Sequence, residues 1–462
     1  MITLASMPAW IIWQHLPPIV FLFCFGACVG SFFNVVIYRL PTGMSVIMPP
    51  SRCPSCGVGL RFFRENLPIL GWFFVRGRCR TCGERVSPQY MVVELAGAAG
   101  FVLLYLLFYT TAGTALGGPQ WLDEIGGPWW RVNGIAVTWP AFLAIAFLIT
   151  GLLAMLVIDA RTCTIPMQIP QFVVGAAILF WPLQAMLPFR SPFLQSWPVP
   201  GTGWIGVGLA VGGAIGLAVS LALLFLGWFR PSFADYGEYV RDDQPLAEYP
   251  HARREMGREI CYLLPIVIGL AAGGACGAVL TGVPSPLVQA AALPWLGYLV
   301  GAGVVWLLRI LATLGFGREA MGLGDAHLMG AVGAVLGPFD PVLVFFIAPF
   351  FGMAWYAVER IRGLFAPREE RGMARAMPFG PHLALAAILL ILCRPLVDRG
   401  LEMLQIPPTP RGFQVERSGS GVAAPSAFGT LPSGPRSIGD AQPGRRAESC
   451  RRSRIILTIR TA

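Results

Sequence analysis

About ten predominantly apolar stretches, at 17–36, 90–109, 140–158, 171–187, 204–228, 261–280, 293–314, 326–336, 341–358 and 383–396, constrain this chain more than any other feature. A hydrocarbon layer about 30 Å thick takes about 20 helical residues to cross. Inside it only helices or closed barrels satisfy every backbone polar group. The apolarity is continuous rather than alternating, which selects helices. A composition that is 55% hydrophobic and only 13% charged, with mean hydropathy +0.64, agrees. The expectation is an all-α polytopic membrane protein of about ten transmembrane helices. The stretch 17–36 has no basic segment before it and no convincing small-residue cleavage site, so it reads as a retained helix rather than a signal peptide.

The formal net charge of +10 comes entirely from arginine, since the chain has no lysine. Much of that charge lies in short loops, where it reports membrane orientation; no nucleic-acid partner is expected. Arg39, Arg52, Arg61, Arg64, Arg76, Arg78, Arg80 and Arg85 put the first loop in the cytoplasm. Counting spans from there brings Asp159, the polar loop around 229–259 and Asp325 to that same face. The charges of 230–259 read as a solvated face. Arg360, Arg362, Arg368, Arg371 and Arg375 mark a further cytoplasmic loop. The expected organisation is a first transmembrane helix (1–38), a small cytoplasmic zinc-binding loop domain (39–89), a polytopic membrane domain (90–398) and a Pro/Gly/Ser/Arg-rich disordered tail (399–462).

Four of the eleven cysteines form two Cys-x-x-Cys pairs, Cys53/Cys56 and Cys79/Cys82, each followed by a glycine, Gly57 and Gly83. Two tight knuckles of this kind present four thiolates to one tetrahedral ion, the pattern of a structural zinc site with no open coordination position. Disulfides or unpaired thiols are the alternatives, and a reducing cytoplasm disfavours the disulfides. The other seven cysteines are scattered, mostly inside apolar runs.

Two carboxylates stand at the ends of apolar runs. Asp159 closes 140–158 and Asp325 ends Met321-Gly-Leu-Gly-Asp325. Singly, Asp159 reads as a snorkelling interfacial residue and Asp325 as the cap of a helix starting at Ala326. Together on one face they fit an aspartyl dyad, in which two close carboxyls share a proton. Gly322 and Gly324 leave room for a peptide backbone to approach. His327 either tunes the dyad, contacts an acidic substrate residue, or is merely interfacial. Glu94, inside the second span, needs a partner or a polar cavity. Glu65, Asn66 and Arg78 in the cysteine loop bind a ligand or are simply solvated.

The motifs Gly30-Ser-Phe-Phe-Asn-Val-Val-Ile-Tyr-Arg-Leu-Pro41, the paired cysteines, Glu65-Asn-Leu-Pro68, Arg76-Gly-Arg-Cys79, Ser87-Pro-Gln-Tyr-Met-Val-Val-Glu94, Ile158-Asp159, Met321-Gly-Leu-Gly-Asp325 and Pro378-Phe-Gly-Pro381 resemble the prepilin peptidases, the type 4 leader peptidases of the GxGD aspartic class. The resemblance implies a bifunctional enzyme of the bacterial cytoplasmic membrane with its active site at the cytoplasmic face. Such an enzyme cleaves the leader of type IV prepilins or type II secretion pseudopilins after a glycine. It then N-methylates the new terminus from S-adenosylmethionine. Asp159 and Asp325 match the catalytic aspartates, and Gly77, with Arg78 and Glu94, falls in the part linked to methyl transfer. Departures are Arg78 and His327 where the family usually has lysine, four spans rather than two between the aspartates, and the long tail. A peptidase without methyl transfer, and a non-enzymatic transporter or assembly scaffold with its charges strung along a path through the bundle, are the competing expectations.

Overall fold

Backbone hydrogen bonding inside the apolar runs turns each of them into helix. The computed structural model of the chain describes residues 9–53, 55–61, 63–111, 119, 121–187, 202–235, 249–365 and 379–404. In chain order these form α1 (Ala9–Arg39), the cysteine loop with its single-turn α2 (Leu70–Phe74), α3 (Gln89–Tyr109), short α4 (Trp121–Glu124) and α5 (Gly127–Asn133), α6 (Ile135–Thr162), α7 (Gln168–Met186), α8 (Trp204–Phe225), α9 (Ala252–Ala278), α10 (Pro286–Phe316), α11 (Leu323–Leu336), α12 (Asp340–Phe365), α13 (Gly380–Leu392) and α14 (Arg394–Met403). Among the described residues the only β pairing is two isolated bridges in the cysteine loop, Arg52 with Gly59 and Arg78 with Arg85. Local signals set the ends. Ser285 caps α10 by accepting the Val288 N–H (3.4 Å) ahead of Pro286, and Gly317 ends that helix in the left-handed conformation.

Among the described residues eight helices (α1, α3, α6, α7, α8, α9, α10 and α12) are long and apolar enough to cross a membrane, and the pair α13–α14, bent by 85°, makes nine if it is one span. This agrees with the expected polytopic all-α protein of about ten spans, except that the run beginning at 326 is a short helix. α11 has 14 residues, about 21 Å at 1.5 Å per residue, well below the hydrocarbon thickness.

That short helix is the centre of the packing. α11 touches α6, α7, α10, α12 and α13, and every residue from Asp325 to Leu336 except His327 is buried. Glycines let backbone meet backbone: a Cβ on Gly297 of α10 would sit on the Gly333 carbonyl of α11, and one on Gly333 would sit on the Gly297 carbonyl. α1 and α3 approach in the same way through Gly26, Gly30 and Gly97. α8 and α9 pack chiefly on each other, Gly208, Gly212 and Gly216 against Gly273, Gly269 and Pro265, while α7 reaches α10 directly. The α8–α9 hairpin therefore stands outside the set α6, α7, α10, α11, α13.

Two sequence expectations change here. Within 230–259, Glu255 and Glu259 do not belong to a solvated face: they lie on α9 at 1% and 3% exposure, paired with Arg258 and Arg309. Arg399–Met403, assigned to the tail by composition, continue α14, where Arg399 pairs with Glu124 of α4 at 2.5 Å. The tail from 405 onward, the 236–248 part of the second polar loop, Arg368, Arg371, Arg375 and Pro378 lie outside the described residues. Gly333→Leu forces α10 away from α11 and is expected to destabilise the fold by at least about 1–3 kcal/mol, read as a lowered thermal midpoint of the detergent-solubilised protein. An unchanged midpoint contradicts this packing.

Candidate functional site

Asp159 sits in the last turn of α6 and Asp325 in the first turn of α11, 4% and 7% exposed. Both single-residue readings fail on geometry. Asp159 is buried rather than snorkelling, and α6 runs on to Thr162. α11 starts at Leu323 with Gly322 as its cap residue, so Asp325 is the third residue of the helix and not its cap. The Gly322 backbone N–H instead reaches the Asp325 carboxylate, and the charge of Asp159 acts on it.

The two carboxylates are brought together through Ile165. After α6 the chain reverses at Cys163, a non-glycine residue held at φ 53°, with the Thr162 hydroxyl donating to the Ile158 carbonyl (2.9 Å). The reversal carries Ile165 between two glycines. A Cβ on Gly324 would lie 2.8 Å from Ile165 Cβ, and one on Gly380, at the start of α13, would lie 2.9 Å from Ile165 Cδ1 and overlap the Asp159 carboxylate Oδ2. So α6, α11 and α13 converge on one side chain, with Asp159 against Gly380 and Asp325 next in sequence to Gly324. The space left by Gly324 is filled by Ile165, not held open for a substrate. Gly322 is exposed, 3.6 Å from Asp325 Oδ2 by the same measure, and leaves that side open.

His327 lies two residues on from Asp325, about 200° around the helix, and faces α10. Its Nδ1 bonds to the Tyr298 hydroxyl (2.7 Å) and its ring lies 6.3 Å from that of Trp306. It is a packing residue between helices, away from the Asp325 face.

In the cysteine loop the two knuckles are copies of each other. Gly57 and Gly83 both have φ 72°, and their N–H groups bond to the Cys53 (2.9 Å) and Cys79 (3.0 Å) carbonyls. All four Sγ atoms lie within 4.8 Å of one another, with Cys53–Cys82 and Cys56–Cys79 both at 3.8 Å. A tetrahedron with metal–sulfur arms near 2.3 Å has an edge of about 3.8 Å, whereas a disulfide needs about 2.05 Å. The donor set fits a four-coordinate metal ion. Backbone N–H groups of Cys82 and Thr81 aimed at its sulfur hold the Cys79 thiol down to about 6, while burial and the neighbouring sulfurs push Cys82 up to about 12.

The remaining loop candidates surround α2. Glu94 Oε2 accepts the Ile69 N–H (2.6 Å) just before α2, fixing a residue held at φ 63°. Gly77, with φ 63°, lies under the Trp72 ring, whose Nε1 donates to the Val86 carbonyl (3.1 Å). Arg78 is exposed. Glu65 is not a free ligand group, because it pairs with Arg80 (3.2 Å) and accepts the Arg61 N–H (3.0 Å). Sequence reasoning missed Ile165 and Gly380. Gly380 stood inside a quoted motif without a role, and nothing marked Ile165.

Metal analysis of the purified protein is expected to find about one ion per chain, bound by four thiolates, and Cys53→Ser or Cys79→Ser is expected to lose it and leave 39–89 protease-sensitive. Full retention of metal by either variant contradicts the site.

Residues 24–108 match a family model described as Bacterial Peptidase A24 N-terminal domain. Among similar proteins, a Prepilin leader peptidase/N-methyltransferase of Myxococcus xanthus (strain DK1622) is 37% identical over 161 residues, 35% of this chain and 40% of that protein. One of the same name from Klebsiella pneumoniae is 47% identical over 89 residues, 18% and 39%. Another, from Pectobacterium carotovorum subsp. carotovorum, is 30% identical over 176 residues, 34% and 53%. The chain thus spans about 40–50% of the length of these curated relatives. No solved structure matches. Asp159 and Asp325 lie outside residues 24–108. The chain is thus similar to proteins named prepilin leader peptidase/N-methyltransferase, and the segment that matches the family model holds the C-terminal half of α1, the cysteine loop and nearly all of α3.

Proposed function

We propose that this protein is a membrane aspartic endopeptidase that removes the leader of type IV prepilins or type II secretion pseudopilins after a glycine and then N-methylates the new terminus. The observation that carries the peptidase half is that two buried carboxylates, Asp159 at the end of α6 and Asp325 at the start of α11, lie near enough for the charge of one to act on the other. Carboxyls in such a place share one proton. The ionised group takes a proton from water, whose oxygen attacks the scissile carbonyl carbon. The protonated group meanwhile gives its proton to the carbonyl oxygen. Return of a proton to the amide nitrogen breaks the C–N bond, leaving a leader with a carboxylate and a free amine, and the pair recovers its single proton.

Both carboxylates lie at helix ends, which suits a substrate cut just outside an apolar helix, and the exposed Gly322 side gives an extended backbone access. Their meeting at one site, rather than along a path through the bundle, disfavours the transporter or scaffold reading. A zinc ion on Cys53, Cys56, Cys79 and Cys82 would brace a loop too small to hold itself together, with no open coordination position for catalysis. Gly77 and Glu94 are taken up in shaping that loop around α2. The S-adenosylmethionine-dependent half therefore rests on the names of the relatives. The proposed setting is the bacterial cytoplasmic membrane, with the dyad at the cytoplasmic face beside the arginine-rich loop.

Coexpression with a prepilin tests the reading. Asp159→Asn and Asp325→Asn are expected to abolish processing while the protein still inserts. Gly380→Ala, which drives a methyl into Asp159, is expected to slow it by about 10²-fold. Normal processing by either asparagine variant contradicts the proposal. The mass of the mature pilin N-terminus, with or without one added methyl group, decides the transferase half.

A further inference from the structure

Arg309 lies in the interior of α10 at 2% exposure, inside an apolar run where a charge is costly unless it has a task. Its Nε and Nη2 donate to Glu259 of α9 (3.2 and 3.1 Å), and its Nη1 donates to Glu319 (2.7 Å) and to the backbone carbonyl of Met321. The Trp306 indole N–H bonds to the other Glu259 oxygen (2.7 Å), and the Phe233 ring covers the guanidinium with its centroid 5.2 Å away. Phe233 is itself held by its N–H to Glu255 (2.9 Å), which Arg258 pairs with. Met321 is the residue immediately before Gly322-Leu-Gly-Asp325, and α11 begins only two residues later.

Resting on the peptidase reading above, we infer that Arg309 is a positioning residue for the segment that leads into Asp325. Its fork, locked by Glu259, holds the Met321 carbonyl and so fixes the backbone that presents Asp325. This assigns a purpose to the α8–α9 hairpin, which lies outside the helices around the dyad yet supplies Glu259. The hairpin is the rigid backing against which Arg309 is braced. A planar guanidinium is needed because the carboxylate and the carbonyl lie at opposite ends of it, and an ammonium on a flexible stem cannot serve both.

The test uses the full-length protein in detergent, with prepilin cleavage for kcat and KM and amide hydrogen exchange over 318–326. Arg309→Gln is expected to lower kcat about 10²-fold with KM little changed. It should also accelerate exchange over 318–326 while α13 exchanges as in the wild type. Arg309→Lys is expected to recover little of the loss. Because Arg309→Gln leaves Glu259 buried and uncompensated, the double variant Arg309→Gln/Glu259→Gln removes both charges. It is expected to keep the wild-type thermal midpoint and still show low kcat and fast exchange over 318–326. Wild-type kcat and exchange in the double variant, or acceleration spread evenly through α10 to α13, overturns the inference. Absence of prepilin cleavage by the wild type overturns the peptidase reading instead, and the exchange pattern alone then decides whether Arg309 holds the segment.

Discussion

The burial of one short helix is the constraint on which the rest depends. At 14 residues α11 is too short to span a bilayer, yet it is enclosed by α6, α7, α10, α12 and α13. Its first turn holds the buried Asp325, while the cap residue Gly322 just before it is exposed. Its enclosure needs contacts closer than side chains allow, which Gly297 and Gly333 supply by bringing two backbones together. The same device recurs at the site itself, where Gly324 and Gly380 admit Ile165 and so bring α6, α11 and α13 to one point. Glycine here serves approach more than flexibility.

Two supports flank that point and differ in kind. On one side Ile165 and the two glycines define position by exclusion, since nothing larger fits. On the other, a fully paired buried arginine defines it by attraction, drawing the Met321 carbonyl toward a network anchored on α9. Buried ion pairs are poor sources of stability because desolvation offsets much of their attraction. Their persistence here is explained by placement of the segment that leads into Asp325.

The helices and the cysteine knuckles were legible in the sequence because each follows from a local rule: continuous apolarity for the helices, and Cys-x-x-Cys-Gly for the knuckles, with both glycines at φ 72°. The joining of Asp159 to Asp325 was legible only through orientation, by counting arginines and spans. What remained hidden was non-local. Whether 326–336 crosses the membrane depends on neighbours that surround it. Glu259 reads as solvated until Arg309, fifty residues on, is seen beside it. An arginine inside an apolar run was the available signal, and it pointed to a partner without naming one. Gly324 shows the converse, a residue correctly singled out whose missing side chain makes room for Ile165.

The central claim is that Asp159 and Asp325 face each other across one site. The most direct measurement is cross-linking of an Asp159→Cys/Asp325→Cys variant of the full chain with a short bis-thiosulfonate reagent, followed by mass spectrometry of the joined peptides. The account predicts a cross-link between positions 159 and 325. Single labelling at both positions with no joined peptide would contradict it.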